Sequence, residues 1–375
     1  MREIDYWIWI SSLQGIGSVK AMGLLEMYKT PKIIYEMSES ELKETKLLTA
    51  KNIEEILDKQ KRERVADIYQ LMIKNNIKMV NIFDDKYPER LKKIYDPPIS
   101  LYYRGKFEIY DFAIAIVGSR RTTNYGLLSA KKLSYELSMR GVQIVSGLAR
   151  GIDSIAHEGC LNAGGKTIAV LGCGLDTIYP PENTPLFEDI VKSDGLVISE
   201  YPPGIPPLQH HFPARNRIIS GIASGVLVVE AAKRSGSLIT ACYALEQGRE
   251  VFAVPGNIDC AYSRGTNQLI KDGAKMVLTI EDILEEFEYG AVSSNFNIQN
   301  NNSKRNSKTN FNIFKGLNTD EIRIVKIISS GIHHIDEIID KSNISAKDVN
   351  NLLFMLEMKG VITQLPGKLF DICCT

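Results

Sequence analysis

Seven short apolar runs punctuate the middle of this sequence: FAIAIV, VQIVS, TIAVL, GLVIS, GVLVV, EVFAV and KMVL. They are rich in β-branched residues, and the apolar residues follow one another without strict polar alternation. A strand with one wet face alternates apolar and polar side chains; a strand buried on both faces does not need to. Helical stretches separate the runs. Strands that recur this way are joined by right-handed crossovers, which stack helices on both faces of a parallel sheet. The predicted fold class is therefore α/β, an extended Rossmann-like, doubly wound and mainly parallel sheet spanning about residues 107–287.

The texture changes on both sides of that region. Residues 1–106 are rich in lysine and glutamate and carry helical periodicity. Within them SSLQGIGSVKAMGLLEMY reads as helix, tight Gly-Ile-Gly turn, helix. This resembles a helix-hairpin-helix, in which hairpin N–H groups can reach a phosphate. Simple packing is the preferred reading, since Lys20 is the one nearby cation of the second helix. IKMVNIFDDKYPERL and DPPISLYYRG follow as strand, loop and strand. Residues 288–316 contain VSSNFNIQNNNSKRNSKTNFN, too polar to bury surface that offsets its ordering entropy, and read as a flexible linker. Residues 317–375 give three helical segments and then GVITQLPGKLF, a winged-helix pattern with Ser345 as the N-cap of the third helix. That helix sets Lys347 and Lys359 against Asp348 and Glu357, so groove binding and a protein-contact role both stay open.

Charge narrows the partners. Lysine plus arginine equals aspartate plus glutamate, 45 each, so any nucleic-acid site has to be local. No apolar run approaches the roughly 18 residues of a membrane span, and the N-terminus lacks a signal-peptide pattern. Six cysteines include no Cys-x-x-Cys pair, which points to free thiols in a reducing cytoplasm. The histidine pairs His210/His211 and His333/His334 lack metal-ligand spacing, and neither a metal nor another cofactor is expected.

Ligands of a doubly wound sheet bind beyond the carboxyl ends of its strands. The residues there are Gly118, Ser119, Arg120 and Arg121 after the first strand. Ser146, Gly147, Arg150 and Gly151 follow the second, with Asp153 and His157 as a pair that orders the loop. FPARNRIISG, with Phe212, Arg215, Asn216 and Arg217, closes the loop after the fourth. Lys233, Arg234, Ser235, Gly236 and Ser237 follow the fifth, and Arg264 the sixth. Eight cations thus fall at one edge, although acids outnumber bases 20 to 16 over residues 107–287. Arginine forks, small hydroxyls and helix N-termini at one edge suit phosphate. No Walker A sequence occurs, and GCGLDT has a threonine where a dinucleotide fingerprint needs its third glycine. Many cations spread over several loops suit an extended polyanion, and Phe212 offers a stacking surface for a base or a packed anchor for its loop.

IVGSRRTTNYG, IVSGLARGIDSIAHEGCL, TIAVLGCGLDTIYPPEN, FPARNRIISG and SGSLITACYALEQGREVFAVPG resemble the DNA-processing protein A family, DprA or Smf. The resemblance covers the whole middle part. It implies a cytoplasmic bacterial protein of natural transformation that binds and protects single-stranded DNA and loads the RecA recombinase on it. It implies homodimers formed through the Rossmann-like domain, a small N-terminal helical domain of the sterile-alpha-motif or helix-hairpin-helix type and a C-terminal winged helix. It also implies a phosphate pocket at Gly118, Ser119 and Arg120, at Ser146, Gly147 and Gly151, at Arg215, Asn216 and Arg217, and at Lys233, Ser235, Gly236 and Ser237. It implies no catalysis. The alternative is a nucleotide-binding enzyme of the related phosphoribohydrolase fold. That family's signature P-G-G-x-G-T-x-x-E supplies a catalytic glutamate, and the corresponding loop here, AKRSGSLITACYALE, has no acid at the matching place. A sequence-specific regulator acting through the winged helix is a third reading.

Overall fold

The computed structural model describes residues 1–287, 318–329, 334–342, 344–359, 361–365 and 369–372. The expected linker at 288–316 lies outside them. The chain divides into two compact units, Met1–Ser294 and Asn295–Thr375.

The first unit opens with six helices: α1 (Glu3–Ser12), α2 (Ser18–Tyr28), α3 (Pro31–Glu36), α4 (Glu39–Glu44), α5 (Ala50–Leu57) and α6 (Lys59–Lys74); further along come α7 (Glu89–Lys92), α8 (Asn124–Met139), α9 (Ile152–Asn162), α10 (Thr184–Lys192) and α11 (His211–Ile222). The turn between α1 and α2 follows the path that its glycines suggest, with Gly15 at φ +76°. Its polar groups are already engaged. The Gln14 N–H donates to the Glu55 carboxylate at 2.8 Å, Asn52 Nδ2 donates to the Gly15 carbonyl at 3.0 Å, and Lys20 Nζ donates to Asn52 Oδ1 at 2.7 Å. A carboxylate at the hairpin apex repels phosphate, so the geometry favours a packed turn over a DNA contact.

Nine strands form one sheet. They are β1 (Lys78–Asn81), β2 (Ser100–Gly105), β3 (Ala113–Val117), β4 (Gln143–Ser146), β5 (Thr167–Leu171), β6 (Leu196–Ser199), β7 (Gly225–Val228), β8 (Glu250–Ala253) and β9 (Lys275–Met276). The spatial order is β1-β2-β6-β5-β4-β3-β7-β8-β9. β3 to β9 pair in parallel, as at Ile114↔Ile144 and Ala115↔Val226. β2 runs antiparallel to β6, with Tyr102 opposite Ser199, and β1 runs antiparallel to β2. The strand-loop-strand before residue 107 is therefore an extension of the sheet.

Every residue of β3 is buried. Ile114 and Ile116 enter the core on one face, with α8 (Asn124–Met139) and α9 (Ile152–Asn162). Ala113, Ala115 and Val117 enter the core on the other, which also holds Trp9, Leu24 and Ile56 from the N-terminal helices. Full burial of one such aliphatic side chain is worth about 1.5–3 kcal/mol. The boundary expected near Lys106 falls inside this shared core, so the helical part and the sheet form one unit.

The second unit has helices Thr319–Ser329, Ile335–Ser342 and Ala346–Met358, followed by the antiparallel hairpin Ile362–Leu365 and Leu369–Ile372. Its core gathers Ile324, Ile338, Leu353 and Phe370. Ser345 caps the third helix by accepting the Asp348 N–H at 3.3 Å. Lys359 pairs with the buried Glu321 at 2.7 Å. Phe354 and Met355 of that helix stay 62% and 48% exposed.

Among the described residues, no helix is long and apolar enough to cross a membrane.

Candidate nucleic-acid interface

From β3 the chain order moves to one side through β4, β5 and β6, and then returns to the other side through β7. The switch point lies between β3 and β7, where the diverging loops leave a crevice. A cleft of about 650 Å³ opens there. The loop after β3 supplies Gly118, Ser119, Arg120 and Arg121, and the loop after β7 supplies Ser235, Gly236 and Ser237. The helix α11 (His211–Ile222) supplies Phe212, Arg215 and Asn216.

Close backbone packing holds these loops. Gly151, at φ +76°, lies against the Ser119 carbonyl so tightly that a Cβ has no room. The next residue, Ile152, donates its N–H to that same carbonyl at 3.2 Å. Gly147 is fixed from two sides. Its N–H donates to Asp153 Oδ2 at 3.2 Å, and its carbonyl accepts from Arg215 Nη1 at 2.6 Å. Arg215 also donates to the Val170 carbonyl and, through Nε, to Asn216 Oδ1 at 3.2 Å. A side chain on Gly147 would collide with the guanidinium. Arg215 is 4% exposed, and burial lowers its pKa to about 10, which still leaves it charged at neutral pH. Burial pushes the Asp153 carboxyl up, while Arg215 pulls it back.

The mouth of the cleft is different. Arg120 is exposed and stands over the Phe212 ring, 5.3 Å from its centroid. The Tyr179 ring tilts against Phe212, with the two centroids 5.4 Å apart. Ser235 and Ser237 share a hydrogen bond of 2.8 Å, and Asn216 Nδ2 donates to the Gly236 carbonyl at 3.3 Å. An exposed guanidinium, two rings and small hydroxyls in one cleft can hold a phosphate beside a stacked base.

Several residues read from the sequence stand elsewhere. Arg217 is buried and does not line the cleft. It pairs with Glu200 at 2.6 Å and Asp96 at 2.9 Å, and donates to Ser18 Oγ at 3.3 Å. Ser146 is buried and donates to the Ile116 carbonyl at 2.6 Å, so it ties β4 to β3 and is closed to phosphate. His157 does not pair with Asp153: its Nδ1 meets Thr167 Oγ1 at 2.7 Å, and burial with Arg215 nearby lowers its pKa to about 3. Asp153 orders the loop without His157. Arg150 forms a surface ion pair with Glu182, and Lys233 and Arg234 are exposed but outside the cleft lining. Sequence reasoning does not reach Tyr179 and Asn183. Asn183 Nδ2 donates to the Leu148 carbonyl at 2.8 Å and steadies the loop after β4. The aromatic residue before the two prolines in TIYPPEN is the available signal for Tyr179.

Comparison with known proteins agrees with this architecture. The family model described as DNA recombination-mediator protein A matches residues 78–288, and the DprA winged helix domain matches residues 315–368. DNA processing protein DprA of Streptococcus pneumoniae is 51% identical over 210 residues, covering 56% of this chain and 74% of that protein. Its X-ray structure superimposes with a TM-score of 0.67 at 39% identity, over 76% of this chain and 99% of that one. DNA processing protein A from Helicobacter pylori, described as having a unique single-stranded DNA binding mode, gives a TM-score of 0.52 at 31% identity, over 57% of this chain and 96% of that one. With the doubly wound sheet, the switch-point cleft and the winged helix all in place, the chain belongs to the DNA recombination-mediator protein A family, DprA or Smf.

Proposed function

We propose that this protein binds single-stranded DNA in the switch-point cleft, shields it and loads the RecA recombinase on it during DNA uptake, acting in the cytoplasm as a homodimer built on the Rossmann-like unit. The observation that carries the DNA reading is the mouth of the cleft: Arg120 over Phe212, with Tyr179 beside it, above a wall fixed by the buried Arg215. The RecA, dimer and transformation parts rest on family membership.

The reading includes no turnover. Three carboxylates that follow strand ends are each engaged in holding the fold. Asp153 accepts the Gly147 N–H, Glu200 pairs with Arg217, and Glu230 accepts the Thr123 N–H at 3.0 Å. Groups already committed in the resting protein stabilise the fold and do not favour a transition state over a bound polyanion.

Arg120→Ala tests the cleft directly. Loss of one cation and its ring contact is expected to weaken single-strand binding by about tenfold for every sequence. The log-log salt slope should become shallower by about 0.7, one phosphate contact on a single strand. Unchanged affinity and slope in the folded variant would place the interface elsewhere.

Removal of the second unit gives a further test. Residues 317–375 carry eight acids against six bases, and the third helix exposes Phe354 and Met355. That surface is ill-suited to a DNA backbone. A chain ending at Ser294 is expected to keep single-strand affinity within about tenfold, or 1.4 kcal/mol, of the full protein. A greater loss would make the winged helix a main DNA contact.

A further inference from the structure

A recess of about 10 Å³ adjoins the cleft. The two share Arg120, Ala149, Tyr179, Phe212 and Arg215 as a common border. Ser235, Gly236 and Ser237 line the cleft alone, and Arg150 lines the recess alone. The rings of Phe212 and Tyr179 thus stand between two sets of anion-binding groups. Three arginines and no acid line the recess among the described residues.

A carboxylate comes to Arg150 from outside that lining. Glu182, on the turn Pro181–Asn183 after β5, accepts from Arg150 Nε. The bond lowers the Glu182 pKa, so this side chain is an anion throughout the neutral range. The backbone beneath the pair is fixed. Asn183 Nδ2 donates to Ser154 Oγ at 2.9 Å as well as to the Leu148 carbonyl, which ties the turn to the loop that carries Arg150. The side chains themselves are 49% and 51% exposed. An exposed pair of this kind adds little to the fold, because water screens it and two side chains must be ordered to form it.

A carboxylate on a guanidinium fork stands where a phosphate oxygen can stand, since both anions suit the same donors. The recess holds about one water and is too small for phosphate, so the anion position is its rim, where Glu182 now lies. A single strand can stack a base on the rings while the phosphates on either side of that base are held. One phosphate at Arg120 and Ser235–Ser237, a base against Phe212 and Tyr179, and the next phosphate at Arg150 follow that order. We infer that Glu182 is a built-in competitor of the strand: it holds the Arg150 phosphate seat closed in the free protein and is exchanged for a DNA phosphate on binding. This rests on the single-stranded DNA reading given above.

The test titrates the full chain with a labelled oligothymidylate at low salt. Glu182→Gln is expected to tighten binding by about threefold, the size of one exposed ion pair. Arg150→Ala should weaken binding by about threefold and make the log-log salt slope shallower by about 0.7, one phosphate contact. The double variant separates exchange from a general charge effect: with Arg150 gone, Glu182→Gln should change affinity by less than about 1.5-fold. Both side chains are half exposed, so neither substitution removes buried structure. Equal tightening in both backgrounds would mean that the substitution acts through net charge. Unchanged affinity of Glu182→Gln would mean that no phosphate takes its place. Either result overturns the exchange and leaves the cleft standing. No binding by the unsubstituted protein overturns the DNA reading and the exchange with it.

Discussion

Arg217→Met is expected to lower the unfolding free energy by about 3–5 kcal/mol while leaving the salt slope of single-strand binding unchanged. Arg217 is 5% exposed and joins three parts of the first unit: Glu200 after β6, Asp96 before β2, and Ser18 at the start of α2. Burial alone would lower the pKa of its guanidinium, but Glu200 and Asp96 outweigh that and hold it above the ordinary value. Methionine keeps most of the apolar stem and removes the charge. Glu200 then stays buried without its cation, which is the costly half of a broken buried pair. Adding Glu200→Gln should restore part of the loss, since residues in one network are not additive. Denaturant titration of the single and double variants measures this. A stable Arg217→Met protein with a shallower salt slope would return Arg217 to the DNA interface.

The contrast between Arg215 and Arg217 shows where sequence reading succeeds and where it stops. The apolar runs locate all seven parallel strands to within about two residues, because burial on both faces writes itself into composition. The switch-point rule then brings Gly118–Arg121, Arg215, Asn216 and Ser235–Ser237 to one cleft. FPARNRIISG, however, reads from sequence as the end of a loop, and it lies within α11, whose residues it nearly fills. On a helix, positions i and i+2 are about 200° apart, so Arg215 faces the cleft wall and Arg217 faces Asp96 and Glu200. Pro213 in the first turn and the apolar stripe Ile218, Ile219 and Ile222 are the signals for that helix. Ser146 fails differently. Its residue type suits phosphate, but its register in β4 turns the hydroxyl to the Ile116 carbonyl, and register depends on the partner strand. The antiparallel pairing of β2 with β6 joins residues nearly a hundred positions apart, which no local pattern encodes.

Acid should destabilise this fold through His157, by about 2 kcal/mol between pH 6.5 and pH 5. The imidazole is fully buried on α9, and burial, followed by the charge of Arg215, lowers its pKa from 6.5 to about 3. Below pH 6.5 the unfolded chain takes up a proton that the native state refuses. The stability this group contributes is thus complete above pH 6.5, declines by about 1.4 kcal/mol per unit below it, and is lost by about pH 3. Asp153 works the other way. Its carboxyl is raised by burial, so the native state takes up that proton first, and falling pH relieves the cost of burying its charge. The raw pH profile combines both, and a variant isolates the histidine. His157→Leu loses the contact to Thr167 Oγ1, a cost independent of pH, while Thr167 keeps its own bond to the Ile144 carbonyl at 2.8 Å. The stability gap between the two proteins should therefore narrow by about 2 kcal/mol from pH 7 to pH 5 in denaturant titrations. A gap that stays constant across that range would mean that His157 titrates alike in both states and that Arg215 and burial do not hold it neutral.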